Sequence, residues 1–101
     1  MIKYSLSAAA DNDLENILEF GIENFGEAAA VEYYDCLVEY FESITANPLQ
    51  YPSRDDIREG YRVCVYKSHS IYFSCQDNEI LIARILNGQD IEKALQLASI
   101  I

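Results

Sequence analysis

Three short runs of β-branched and aromatic residues lie within residues 59–90, and this stretch constrains the fold more than any other part of the chain. The runs cover residues 61–66, 70–75 and 79–86, and polar residues at 67–69 and 76–78 separate them. Strands favour such side chains and turns favour such polar breaks, so the pattern predicts a three-strand antiparallel meander. The last run is apolar on both faces, which is typical of a central strand.

Two amphipathic helices are predicted ahead of the meander. After a short alternating strand at the start of the chain, Ser7 suits a helix N-cap, and apolar residues then recur every three or four positions up to Gly26. A second helix is predicted over residues 27–46, where Asn47 and Pro48 end it because proline disfavours helix in the residue before it. The stripes are Leu14, Ile17, Leu18, Ile22 and Phe25 in the first helix and Val31, Tyr34, Leu37, Val38, Phe41 and Ile44 in the second. Two such helices joined by a glycine imply an antiparallel helical hairpin.

The expected architecture is a single α+β domain over residues 1–101, since a chain of this length buries a sizeable core. The helical hairpin packs on a mainly antiparallel sheet, and Asp90 caps a short C-terminal helix with apolar residues at 91, 94, 95 and 97. The sequence has neither the pattern of a secretory signal nor a run of about eighteen apolar residues. We therefore expect a cytoplasmic protein that does not enter a membrane.

The charge is strongly acidic, with seventeen acidic and seven basic residues and a formal net charge of −10. Ten of the carboxylates lie between Asp11 and Glu42, whereas no lysine or arginine lies between Lys3 and Arg54. Affinity for nucleic acid comes largely from lysine and arginine, so this charge disfavours direct binding to a polynucleotide. The acidic helices are either a solvated face or a surface that meets a basic partner.

No pattern of catalytic or metal-binding residues is present. His69 is the only histidine, and the three cysteines at 36, 64 and 75 form no close pair, so the expected thiols are free. A Cys–His nucleophilic pair is conceivable, but nothing in the strand pattern activates Cys64 or Cys75. We predict no catalytic residue, metal or cofactor, and a structural role for His69 at a hairpin turn.

Arg62 and Arg84 each interrupt a strand that is otherwise apolar. An arginine on an open sheet face offers a bidentate grip on an anion or a peptide carboxylate. The alternative is an internal ion pair with one of the many carboxylates. The sequence leaves both interpretations open.

Several short motifs follow one another in a characteristic order. They are Ile-Arg-Glu-Gly-Tyr-Arg at 57–62, Lys-Ser-His at 67–69, Ala-Arg-Ile-Leu at 83–86, and Asp90-Ile91, together with Ala10, Asp13, Leu14 and Ile17 in the first helix and Asn47-Pro48 after the second. In this order, and with the predicted sequence of elements, they resemble the ParE toxins of the RelE/ParE superfamily. The resemblance covers nearly the whole chain.

This resemblance implies the toxin of a type II toxin–antitoxin system, which inhibits DNA gyrase by protein–protein binding and is neutralised by a ParD-type antitoxin. The antitoxin's C-terminal segment would fold onto the helical hairpin and the sheet. By position, Arg62 and Arg84 are expected to bind its carboxylates, and Tyr34, Leu37 and Phe41 to contribute apolar contacts. The alternative for these three side chains is packing within the core.

Two other functions are compatible with the same fold. The first is that of a RelE-like ribosome-dependent mRNA endoribonuclease, which needs several basic groups and an acid or base at the scissile phosphate. After Arg84 the sequence has a single basic residue, Lys93, and neither tyrosine nor histidine. The net charge of −10 also opposes docking on ribosomal RNA. The second is that of an inactive module that only binds the antitoxin.

Overall fold

The structure, a computed structural model, describes residues 3–87. The elements in chain order are strand β1 (Lys3–Leu6), helix α1 (Ala8–Phe25), helix α2 (Glu27–Ala46), a short 3-10 helix (Pro48–Gln50), and strands β2 (Tyr61–Tyr66), β3 (His69–Gln76) and β4 (Glu79–Asn87). The predicted order of strand, helical hairpin and antiparallel meander is confirmed. The predicted helix that begins at Asp90 lies outside the described residues.

The four strands form one mixed sheet in the order β1-β4-β3-β2. Strand β1 runs parallel to β4, while β4, β3 and β2 are antiparallel neighbours. The apolar strand β4 is therefore central, as its sequence predicts. Its pairing with β3 shifts between Tyr72 and Phe73, which leaves Ala83 as an extra residue next to Arg84. Such a bulge changes the direction of neighbouring side chains.

The ends of the two helices agree with the residues that predicted them. Ser7 caps α1, since its Oγ accepts a hydrogen bond of 3.0 Å from the backbone N–H of Ala10. The same hydroxyl donates to the carbonyl oxygen of Ala83 at 2.7 Å and so ties the start of α1 to β4. Between the helices, Gly26 has φ 92° and ψ 160°, a backbone conformation that is essentially restricted to glycine. This residue sets the sharp reversal of the hairpin.

The two turns of the meander are shorter than the sequence predicts. Lys67 at φ 52° begins the first turn, and Asp77 and Asn78 at φ 52° and 62° form the second. Two-residue turns with positive φ match the twist of the strands that they join. His69, which was predicted to lie in the first turn, instead begins β3 and pairs with Asn87.

The sheet is buried on both faces. The main core lies between the helices and the sheet and contains Ala10, Leu14, Leu37, Phe41, Ile44, Cys64, Ile71, Phe73, Ile80, Ile82 and Ile85. A second cluster contains Ile57, Tyr61, Val63, Tyr72, Ala83 and Leu86. Alternate residues of a strand point to opposite faces, so Tyr61 and Val63 place this second cluster on the face away from the helices.

The connection between α2 and β2 covers part of the outer edge of β2. The backbone N–H of Arg54 donates to the carbonyl oxygen of Tyr61 at 2.6 Å, and that of Val63 donates to the carbonyl oxygen of Pro52 at 3.1 Å. Ile57 anchors the connection in the second cluster. The connection therefore protects part of an edge strand from pairing with another chain.

Candidate functional site

A groove of about 590 Å³ lies between the far end of the helical hairpin and one end of β3 and β4. Its residues are Asp13, Asn16, Ile17, Phe20, Gly21 and Phe25 of α1, Ala29, Ala30 and Tyr33 of α2, and Ser68, His69, Arg84, Ile85, Leu86 and Asn87 on the sheet side. We call it the hairpin groove. Phe20 and Phe25 are 62 % and 72 % exposed, so its outer wall presents large apolar side chains to solvent. A concave apolar surface with a few polar groups is the usual form of a binding site.

Close contact between the helices shapes this end of the groove. A Cβ atom on Gly21 would lie 3.0 Å from the Cβ of Ala30, so the glycine lets α1 and α2 approach each other there. Two small residues thus bring the backbones together beside two exposed phenylalanines. The packing of α1 on α2 therefore leaves little room for a side chain at position 21.

Arg84 forms an ion pair with Asp13 inside the hairpin groove. Its Nε and Nη2 donate to the two carboxylate oxygens at 2.8 and 3.0 Å, and the backbone N–H of Ile85 donates to Oδ2 at 3.0 Å. The side chains of Arg84 and Asp13 are 21 % and 11 % exposed. The hydrogen bonds to Asp13 raise the pKa of Arg84, which stays charged. The sequence left two roles open for Arg84, binding of an external carboxylate and an internal ion pair. The structure shows the internal ion pair.

Arg62 lies on β2, two strands away from β4 in the sheet. Its Nη1 donates to the backbone carbonyl oxygen of Tyr51 at 2.7 Å, and its side chain is half-buried. Arg62 is opposite Phe73 of β3, whereas Arg84 is opposite Tyr72. The two arginines therefore have separate partners and do not form one anion site in this structure.

The three apolar side chains predicted with these arginines lie on α2. Leu37 and Phe41 are fully buried in the main core, and Tyr34 is half-buried against it. Core packing, the alternative that the sequence left open, is thus the environment of Leu37 and Phe41. Tyr34 keeps part of its surface accessible.

His69 lies beneath the groove and contacts α2. Its Nδ1 is 2.7 Å from the hydroxyl oxygen of Tyr33, and burial lowers the pKa of the imidazole, which keeps it neutral near pH 7. Lys67 Nζ lies 5.7 Å from the centre of the Tyr33 ring and 5.5 Å from that of Tyr66, within cation–π range. These contacts join the first turn of the meander to α2, which is the structural role of His69.

The cysteines give no sign of nucleophilic chemistry. All three thiols are free, as predicted. Cys64 is buried beside Tyr40 and Tyr51, and burial raises the pKa of the thiol, whereas a nucleophilic cysteine needs a lowered pKa. Burial also raises the pKa of Tyr51 to about 12, so this hydroxyl stays protonated. The cluster packs the sheet against α2 and the following connection.

Residues 3–87 contain neither a metal-binding cluster nor a membrane-spanning helix. No group of three or more His, Cys, Asp or Glu side chains in this part of the chain is arranged to hold a metal ion. No helix among the same residues is long and apolar enough to cross a bilayer.

Comparison with known proteins identifies the family. Residues 4–92 match the model of the family described as ParE toxin of type II toxin-antitoxin system, parDE. The chain belongs to the ParE toxin family. It is therefore a toxin of a type II toxin–antitoxin system, as the motifs of the sequence indicated.

Named relatives and a solved structure agree with this assignment. Toxin ParE1 of Mycobacterium tuberculosis is 30 % identical over 95 residues, which cover 92 % of this ParE chain and 97 % of the relative. Toxin ParE1 of Caulobacter vibrioides is 30 % identical over 73 residues, 72 % of this chain and 76 % of the relative. A structure titled "Chromosomal ParDE TA system from P. aeruginosa" matches with a TM-score of 0.77 at 22 % identity, over 87 % of this chain and 97 % of that one. The RelE/ParE-like fold is thus confirmed.

Sequence reasoning missed two parts of the ParE site. It proposed an ion-pair partner for Arg84 without identifying Asp13, which lies 71 residues earlier in the chain. It also placed Ile22 and Phe25 in the apolar stripe of the first helix and left out Phe20, although all three are exposed. The position of Phe20, outside the apolar stripe, was the available signal for an exposed aromatic side chain.

Proposed function

We propose that this ParE protein inhibits DNA gyrase by protein–protein binding in the cytoplasm and that a ParD-type antitoxin neutralises it. The observation that most supports this proposal is the exposed apolar hairpin groove in a chain of the ParE family. Binding to a protein needs such a surface, whereas catalysis needs activated groups. The neutral, hydrogen-bonded His69 and the protonated Cys64 support the former.

The hairpin groove suits a segment of the antitoxin. Its outer wall carries Phe20 and Phe25, its inner wall Ile17, and its floor Ile85. An amphipathic helix places apolar residues into a groove of this kind at spacings of three and four. A segment that is disordered when free gains enough buried apolar surface there to offset the cost of ordering.

The predicted site residues contribute to this complex in different ways. Arg84 lines the groove, and its Nη1 takes no part in the two hydrogen bonds to Asp13, so it can donate to a carboxylate of the antitoxin as a further partner. Arg62 and Tyr34 are half-buried and each offers part of its side chain. Leu37 and Phe41 contribute indirectly, because they pack α2 on the sheet and so fix the position of the α2 side chains that line the groove.

A supercoiling assay tests the proposed target. The purified chain is expected to inhibit DNA gyrase, and addition of the ParD-type antitoxin in equal amount is expected to restore supercoiling. The matched control is the toxin–antitoxin complex assembled beforehand, which should not inhibit. Normal supercoiling together with cleavage of messenger RNA in a translating extract would instead assign the chain to the RelE-like endoribonucleases. Inactivity in both assays with tight antitoxin binding would identify an inactive module.

Charge removal at the arginines tests the antitoxin site. Arg62→Gln and Arg84→Gln are each expected to weaken antitoxin binding roughly tenfold or more, because a hydrogen bond to a charged group contributes about 1.5–3 kcal/mol. Isothermal titration measures the affinity, and Arg58→Gln on the exposed connection is the control with matched chemistry. Unchanged affinity in Arg62→Gln and Arg84→Gln, with a lower melting temperature, would show that both arginines act only within the fold.

A further inference from the structure

Four large apolar side chains are exposed where the two helices meet. Phe20, Ile22 and Phe25 of α1 and Val31 of α2 are 62 %, 41 %, 72 % and 42 % exposed. The rings of Phe20 and Phe25 pack edge to face on each other, with centroids 6.4 Å apart, instead of entering the core. We call these four residues the hairpin tip. Clustered exposed apolar side chains on a monomer are typical of an interaction surface.

The hairpin groove does not account for the whole hairpin tip. Phe20 and Phe25 line the groove, but Ile22 and Val31 do not. An antitoxin segment seated in the groove would therefore cover two of the four side chains and leave the other two to solvent. Exposure of Ile22 and Val31 therefore indicates that a partner other than the antitoxin binds this part of the hairpin tip.

Charge decides which kind of partner fits the tip. The chain has no lysine or arginine from residue 4 to residue 53, and Glu23 and Glu27 beside the tip are exposed. Two copies of this surface would repel each other, so a second copy of the chain is disfavoured. A partner with positive charge around an apolar pocket would be attracted and would associate faster.

We propose that the hairpin tip is the surface through which the toxin binds its target, and that it docks on a basic protein surface of the kind that an enzyme uses to hold DNA. An enzyme that acts on DNA must present lysine and arginine to phosphates. The acidic helices would meet those residues, and the apolar side chains of the tip would enter a pocket between them. The proposal rests on the proposed function, since it assigns the contact surface for that target.

This arrangement also explains how an antitoxin neutralises the toxin. Phe20 and Phe25 belong to both the hairpin groove and the hairpin tip. An antitoxin seated in the groove covers them, and the target then loses half of its apolar contacts. Binding of the two partners is therefore mutually exclusive.

Variants on the two halves of the tip test the inference. Ile22→Ser with Val31→Ser is expected to abolish growth arrest by the expressed toxin and to weaken inhibition of supercoiling at least tenfold, while antitoxin affinity stays unchanged. Phe25→Ser is expected to weaken both target and antitoxin binding. Glu23→Lys with Glu27→Lys is expected to reduce inhibition, whereas Glu39→Lys with Glu42→Lys, two exposed positions toward the other end of α2, provides the control with the same charge change.

Each outcome of these assays is decisive. Antitoxin binding and a thermal melt identify any variant that fails to fold, and Glu23→Lys with Glu27→Lys changes only exposed side chains. The inference would be overturned if folded tip variants arrested growth as strongly as the unchanged toxin. It would also be overturned if the unchanged toxin arrested no growth at all. Tip-dependent growth arrest without inhibition of gyrase would support the inference and reject gyrase as the target.

Discussion

Replacement of Phe41 by alanine is expected to lower the free energy of unfolding by about 3–5 kcal/mol. Phe41 is fully buried between α2 and the sheet, and its ring packs edge to face on Tyr4 of β1 with centroids 5.5 Å apart. Alanine removes this contact and leaves a cavity that the surrounding side chains fill only in part. Domains of this size are stable by about 5–15 kcal/mol, so the loss is a large fraction of the total.

Urea denaturation followed by circular dichroism measures this effect. Leu49→Ala is the control, because Leu49 is an exposed apolar residue just after α2 and its truncation should change stability little. Phe41→Leu should retain most of the stability, since leucine fills part of the same space. A Phe41→Ala protein as stable as the unchanged toxin, but with weaker antitoxin binding, would contradict the burial of this side chain and favour direct contact with the partner.

Removal of the carboxylate of Asp13 is expected to be the next most destabilising change, at about 1.5–3 kcal/mol for Asp13→Ala. The substitution leaves Arg84 without its bidentate partner and the backbone N–H of Ile85 without an acceptor. A charge that loses its partner in a half-buried site is more costly than the same loss at the surface. Because the pair joins α1 to β4, the end of the hairpin that carries the groove should also become less ordered.

A double-mutant cycle with Arg84→Met isolates the energy of this ion pair. If the pair acts as a unit, the double variant should be more stable than the sum of the two single losses predicts. Asp56→Ala breaks the exposed pair with Arg54 and provides a control, for which little change is expected. Additive effects of Asp13→Ala and Arg84→Met would show that the two side chains contribute independently.

Local signals explain why the sequence predicts the elements of the fold so closely. Gly26 separates two periodic stripes, and Asn47-Pro48 ends the second of them, so both helices have the expected bounds. The strands of the meander alternate with polar turn residues, and their predicted ends differ from the observed ends by at most one residue. These features depend on neighbouring residues, which is why a single sequence reveals them.

The candidate site depends on the distances between elements that are far apart in the chain, and the spacing of apolar residues along one helix or strand does not predict them. The stripe of α1 predicts which side of the helix faces the sheet but not how far the sheet extends beneath it. An 18-residue helix is about 27 Å long, and the last two turns of α1 leave Ile22 and Phe25 exposed although they continue the apolar stripe. Likewise, an arginine in an apolar strand predicts an acidic partner, yet only the packing of α1 on β4 selects Asp13 from seventeen acidic residues.

The parallel pairing of β1 with β4 has a consequence for the synthesis of the toxin. The hydrogen bond between Ser7 and Ala83 joins residues 76 positions apart, and Leu6 is paired with Ile82. The helical hairpin has mostly local contacts and can form early, whereas this long-range pairing must wait for the strand that is translated late. Strand β1 is thus among the last elements to find its place, because its pairing in the native sheet forms only after β4 has been translated.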